Sequence, residues 1–243
     1  LNFLHPLLDT STYRQLLLIS QTLLAMSGRI TMLGISRWAG KGGSYRTIQR
    51  FFTKDILWDS LHWAVAKIFL AKSTGAILIA GDATTVTKSG KETFGLGKFF
   101  SSIYSRAVPG IAFQVLSLID VEKRKSWPML IEQILPKPKP KKSSAKKKKK
   151  KRGKGRPKGS KNKNHRNVEL NAEMLQVQGM LKKLLKLIGD TIQPIFLVYD
   201  GAFGNNAAIQ MTLQVGLHLI SKLRSDSALY FKWDGVYSGK GRT

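Results

Sequence analysis

Asp82 closes the stretch "AILIAGD" (residues 76–82) and Asp200 closes "PIFLVYD" (194–200); each acid follows an apolar run and precedes a small-residue turn, "GDAT" and "YDGA". A strand that is apolar along its whole length is buried on both faces, so each acid is expected at the rim of a buried sheet. If the two strands are neighbours, the carboxylates converge at one edge. Crowding two anions is unfavourable unless they share a cation, and a hard divalent cation takes oxygen ligands of this kind. Mg²⁺, or Mn²⁺ in its place, binds through one or two carboxylates and fills its shell with water and phosphate oxygens. A metal pair activates the attacking oxygen and stabilises the leaving one in phosphodiester cleavage. Taken singly, each Asp is as well explained by hydrogen bonds from turn amides. The matched pair is what points to metal-dependent chemistry.

Charge points the same way. The 243-residue chain carries a net charge of +27 with 42% apolar residues and no cysteine. That apolar content supports a real core, in one large domain or two small ones. So large a positive charge calls for an anionic partner, double-stranded DNA first and an anionic membrane second. No apolar run reaches the roughly 18 residues of a membrane span. "LLLISQTLLAMSG" lacks a basic segment before it and is interrupted by Ser20, Gln21 and Thr22, so it is not read as a signal peptide. The lack of cysteine removes disulfides and thiolate metal sites and favours an intracellular address. Residues 137–166 hold 17 Lys or Arg and no acid, leaving a net +10 on the rest. With no apolar face to bury, this run (taken as insert 136–167) is expected to be a disordered, solvated loop.

The elements that must position these residues fall into two groups. Over residues 1–72 the apolar spacing is helical. A first helix has Thr10 or Ser11 as N-cap and Gly28 as stop; a second covers Thr31–Trp38, ended by Gly40. A third, "YRTIQRFFTK", is capped by Ser44, and a fourth runs from about Asp55 to Leu70. Short helices with a Gly-rich turn before a basic third one are helix-turn-helix-like. Ile48, Phe51 and Phe52 are expected to face the core, with Arg46, Gln49 and Arg50 free to meet phosphates and base edges. A plain α-bundle with a solvated basic face is the other reading. From residue 73 onward a run of strands is followed by helix, β, helix, β. The strands are "AILIAGD", then "SSIYS" and "GIAFQVLSLIDV" around an "AVPG" turn, and "SWPMLIEQI", whose proline suits an edge. A long amphipathic helix follows over Val168–Ile188, with Leu170, Met174, Val177, Leu181, Leu184, Leu185 and Ile188 in one stripe. "PIFLVYD", a helix over Asn206–Val215, "LHLISKLR" and "ALYFKW" complete a mixed α/β sheet.

The segments "GDATTVTKSGKETFGLGKFFSSIYSRAVPG", "FLVYDGAFGNN" and "HLISKLRSD" resemble those of bacterial cut-and-paste transposases of the insertion-sequence type, over roughly residues 31–235. The resemblance implies a ribonuclease H-like DDE catalytic domain over residues 73–243, with Asp82 and Asp200 as first and second catalytic aspartates holding Mg²⁺ or Mn²⁺. It implies DNA strand cleavage and transfer at element ends, in the cytoplasm and nucleoid of a bacterium, with a homodimer on DNA as one assembly open to it. The family's third carboxylate is a glutamate on a helix after the last core strand, within a Tyr-Arg-Glu-Lys signature. None occurs before Thr243, so a truncated, weakly cutting or inactive transposase is the expectation, with Asp226 and Asp234 the acids left to test. A non-catalytic DNA-binding protein acting as a repressor is the alternative, separated from the enzyme by metal-dependent nicking.

Other motifs carry less. The four histidines lack zinc spacing, and no Walker-type glycine loop occurs. Within the insert, "RGKGRPKGSKNK" is similar to an AT-hook, in which Arg152, Lys154, Arg156 and Lys158 would follow the minor groove. The plainer reading is a polycation acting by counterion release.

Overall fold

The computed structural model describes residues 2–90, 92–136, 168–223 and 235. The N-terminal part is helical, as the periodicity predicts. After a 3-10 turn, helix α1 spans Thr10–Ala25, α2 Met32–Ala39, α3 Tyr45–Phe52 and α4 Trp58–Leu70. Asp9 rather than Thr10 or Ser11 caps α1, its Oδ1 accepting from the Thr12 amide at 2.9 Å. A carboxylate there satisfies an orphan amide and also opposes the positive end of the helix dipole. Thr31 and Ser44 cap α2 and α3 as expected, and α2 stops at Gly40, whose φ of 63° suits glycine. α4 begins later than Asp55, with Leu57 at its N-cap and no side-chain cap.

Ile19, Ile35, Ile48 and Phe51 form one buried cluster of this region, and Leu4, Tyr13 and Leu61 a second. Phe52, expected inside, is 47% exposed. On so short a helix, Ile48 and Phe51 three residues apart fill the inward stripe, and Phe52 falls about 100° further round. It meets only the edge of Phe51, with centroids 5.5 Å apart.

Six strands make one sheet: β1 Ile77–Thr87, β2 Gly97–Ser101, β3 Arg106–Asp120, β4 Lys125–Ile134, β5 Phe196–Tyr199 and β6 His218–Ser221. β1 does not stop at Asp82. It continues to Thr87 because β3 pairs it along its full length, from Ile77 opposite Asp120 to Thr87 opposite Gly110. "SSIYS" is not a strand: only Ser101 belongs to β2, and the next four residues turn the chain, with Ser105 at φ 49°. "AVPG" is no turn but the first part of β3. Pro109 is tolerated there because it only has to accept, which it does from the Lys88 amide at 3.1 Å. Pro128 lies in β4 at a register shift against Leu116 and Ser117, on a strand paired to β3 alone.

The strand order is β2-β3-β1-β5-β6, with β4 also on β3. β3 runs antiparallel to β1, β2 and β4, whereas β5 is parallel to β1 and β6 to β5. Apart from the short β2, this is the ribonuclease H-like mixed sheet the resemblance implies, preceded by the helical module. Helix α5 covers Ala172–Ile188 from an Asn171 cap, and α6 covers Asn206–Gln214. Met174, Val177, Leu181, Leu184 and Ile188 are buried as the stripe predicts, with Met180 added. They pack with Ile79, Leu116, Leu118 and Leu197 of the sheet. Burying each such side chain contributes about 1.5–3 kcal/mol, so this core holds the sheet without a ligand. α4 joins the two parts: Ala66 and Leu70 enter the sheet core, and His62 Nδ1 lies 3.1 Å from the Met129 carbonyl. "ALYFKW" and the basic insert lie outside the described residues.

Candidate active site and nucleic-acid interface

β1 and β5 are adjacent and parallel, with Ile79 opposite Leu197 and Ala80 opposite Val198. Asp82 comes two residues after Ala80 and Asp200 two after Val198, so the acids follow in the same step along neighbouring strands, Asp82 within β1 and Asp200 just past the end of β5. The two backbones therefore run at matching levels on adjacent strands, and both residues are exposed.

Each carboxylate is half committed. Asp82 Oδ1 accepts from the Ala83 amide at 2.8 Å, and Asp200 Oδ1 accepts from the Ala202 amide at 3.2 Å, capping a 3-10 turn over Gly201–Phe203. The turn-capping role is thus seen for Asp200 alone, since Asp82 bonds its neighbour within β1, and each Oδ2 has no hydrogen-bond partner among the described residues. Neither acid is ion-paired among the described residues; the carboxylates that are paired are Asp9, Asp59 and Asp120.

The main chain behind the acids is firmly held. The Asp82 carbonyl accepts from Gln114 Nε2 at 2.8 Å, and the Asp200 carbonyl from Ser221 Oγ at 2.6 Å. Tyr199, just before Asp200, packs beside Gly81, just before Asp82: a β-carbon on Gly81 would lie 2.1 Å from Tyr199 Cε2. Only glycine admits the ring. The ring also stacks on Phe203, centroids 3.7 Å apart. Burial pushes the Tyr199 hydroxyl well above its ordinary value, and the charges of Glu173, Asp200 and Asp82 act in the same sense. Gln114 lies near enough to oppose that rise, yet no hydrogen bond of ordinary geometry reaches the hydroxyl. Sequence reasoning passed over Gly81, Gln114, Tyr199 and Ser221. The available signal was the pairing of Gly-Asp on one strand with Tyr-Asp on the other, a small residue facing a large one.

Two exposed carboxylates with a free oxygen each suit a hard cation that completes its shell from water and phosphate. Among the described residues, no group of three or more His, Cys, Asp or Glu side chains could hold a metal ion. Asp226 and Asp234 lie outside those residues.

On the helical module, Arg46, Gln49 and Arg50 are exposed along α3, opposite the buried Ile48 and Phe51. This is the outward face the spacing predicts. Arg152, Lys154, Arg156 and Lys158 fall outside the described residues. No helix among the described residues is long and apolar enough to cross a membrane.

A family model described as DDE superfamily endonuclease matches residues 3–243. No curated protein matches the chain.

Proposed function

The chain belongs to the DDE superfamily of endonucleases, and on that premise we propose that it is an insertion-sequence transposase of bacterial type, cleaving and transferring DNA strands at element ends. The observation that supports this reading is the equal step of Asp82 and Asp200 past paired residues of two parallel strands. In this reading, residues 1–72 bind duplex DNA, with Arg46, Gln49 and Arg50 of α3 toward the groove, and residues 73–243 carry the chemistry. The free oxygens of Asp82 and Asp200 would hold Mg²⁺ or Mn²⁺. When bound, the ion lowers the pKa of the attacking oxygen and offsets charge on the leaving one.

This chain's own groups supply the rest. The hydrogen bonds from Ala83 and Ala202 turn each carboxylate so that one oxygen is tied back and the other is free. Gln114 and Ser221 fix the carbonyls behind them. Such second-layer support matters because sub-ångström errors in placement cost rate. Arg152, Lys154, Arg156 and Lys158 would add affinity through phosphates.

The test is nicking of supercoiled DNA in Mg²⁺ and in Mn²⁺. Slow metal-dependent nicking that disappears in both Asp82→Ala and Asp200→Ala, with DNA binding retained, is the expected result. Nicking that survives either substitution would remove that residue from the site. DNA binding with no nicking under any metal would favour the repressor reading.

A further inference from the structure

The first turns of α1 and the loop between α2 and α3 enclose an open cavity of about 560 Å³, lined among others by Thr10, Ser11, Arg14, Gln15, Lys41 and Thr47. Its lining holds two cations, three hydroxyls and an amide, and no acid. Arg14 and Lys41 are exposed and in no ion pair among the described residues. Two like charges facing one concavity repel each other, and an anion between them relieves that repulsion. The nearby carboxylate does not fill this role. Asp9 is taken up by the Thr12 amide and hydroxyl at 2.9 and 2.5 Å, and its other cation is Lys54 at 3.8 Å.

A further observation concerns Gln15. Its side-chain oxygen is buried and accepts no hydrogen bond. With that oxygen turned inward, the NH₂ group is the end left to face the cavity that Gln15 lines. The hydroxyls of Thr10 and Ser11 are further donors, and that of Thr47, which shares a 2.9 Å hydrogen bond with Ser44 Oγ, donates to an anion when Ser44 supplies the proton between them. The space far exceeds what a lone inorganic ion needs, which favours an anion that arrives attached to a larger body.

The cavity also has the right neighbour. Thr47 lies on α3 between Arg46 and Gln49, three residues before Arg50, and residues three apart share a helix face. We propose that this cavity seats one phosphate of the DNA backbone when α3 lies against a duplex, with Arg14 and Lys41 neutralising it and Gln15, Thr10, Ser11 and Thr47 donating to it. The inference rests on the reading of α3 as a DNA-binding helix. It adds the contact that sets the depth and register of that helix, because backbone phosphates position a protein while base edges specify the sequence.

The experiment uses the full chain and 20-base-pair duplexes of several sequences. Losing one phosphate contact lowers the slope of log affinity against log salt by about 0.9. The double variant Arg14→Gln/Lys41→Gln should lose about that much slope, by the same amount on every duplex, with an unchanged melting curve. Arg14→Lys, which keeps the charge, should recover most of it against Arg14→Gln. An unchanged slope in the double variant overturns the proposal. A second arm titrates inorganic phosphate by calorimetry. Phosphate binding that needs Arg14 and Lys41, combined with an unchanged DNA slope, would assign the cavity to a free anion and overturn the proposal in that way. If Arg46→Ala and Arg50→Ala leave DNA affinity unaltered while the cavity variants reduce the slope, the α3 reading fails and the phosphate site stands.

Discussion

Tyr199 occupies the space that a side chain on Gly81 would need: a β-carbon there would sit 2.1 Å from Cε2 and 2.6 Å from Cδ2 of the ring. Because Asp82 and Asp200 follow these two residues directly, the contact sets the lateral placement of both acids. Gly81→Ala should therefore destabilise the protein by about 1–3 kcal/mol through overpacking and weaken Mn²⁺ binding at the same time. Tyr199→Phe, which removes only a hydroxyl without a partner, should change stability by less than about 1 kcal/mol. Urea midpoints of the two variants check both. A large loss in Tyr199→Phe would mean the hydroxyl has a partner after all.

Asp120 is placed to contribute to stability at acid pH. It ends β3 just beneath the surface, with no exposed area of its own, accepting from the Lys123 amide at 2.9 Å and from Ser73 Oγ at 2.6 Å. These bonds, the Lys123 amide first, hold its carboxyl below the ordinary value, with the Lys123 ammonium at 3.6 Å assisting. A carboxyl whose pKa is depressed by folding stabilises the fold at pH above its unfolded value of about 3.9. That contribution is lost as pH falls through the folded value. Urea midpoints measured from pH 5 down to pH 2 should fall, and Asp120→Asn should flatten the fall while lowering the midpoint at pH 7. An unchanged pH dependence in the variant would show that other carboxyls control it.

Where burial and period coincide, the fold was legible. The α5 stripe, the Thr31 and Ser44 caps and the apolar runs before both aspartates all express local rules, and each was found where the spacing puts it. What was missed depends on long-range pairing. Nothing local says that β1 continues beyond Asp82, because "ATTVT" is held in the sheet by β3 and not by its own apolarity. "AVPG" looks like a turn to any local rule and becomes a strand because Lys88 and Lys98 lie opposite Pro109. For the candidate site, the acids announced themselves by type and position. Their supports, Gln114 and Ser221, come from β3 and β6 and carry no signal along the chain.

On the helical module, Arg46→Ala and Arg50→Ala should each weaken duplex binding by about 1–3 kcal/mol if the guanidinium reaches base edges. Both side chains are exposed and unpaired by acids among the described residues, so the fold should not change. Fluorescence anisotropy with labelled duplex at moderate salt measures the effect. Equal affinity in the double variant would leave α3 as a solvated face.

The basic run contributes through charge alone in the simplest account. Deleting residues 137–166 removes 17 positive charges and no apolar residue other than alanine and proline. The melting temperature should hold, and the dependence of DNA affinity on salt should become markedly less steep, because fewer counterions are released. The same steepness after deletion would exclude a tethering role.

The metal site provides the last test, and it can be read without any cleavage. Two carboxylates on neighbouring strands, each with one oxygen tied to a nearby backbone amide, leave two hard donors for a shared cation. A single carboxylate holds such an ion weakly, since the remaining ligands are water. Mn²⁺ titrated into the protein should therefore bind at a site that Asp82→Ala and Asp200→Ala each abolish, and the double variant should lose no more than either alone. That equality is the signature of two residues acting on one ion, because additive losses are what independent sites give. Paramagnetic broadening by Mn²⁺ offers an independent readout, concentrated on residues around Asp82 within β1 and just after β5. Broadening that spreads over the acidic side chains at large, or two losses that add, would return Asp82 and Asp200 to their local backbone hydrogen bonds.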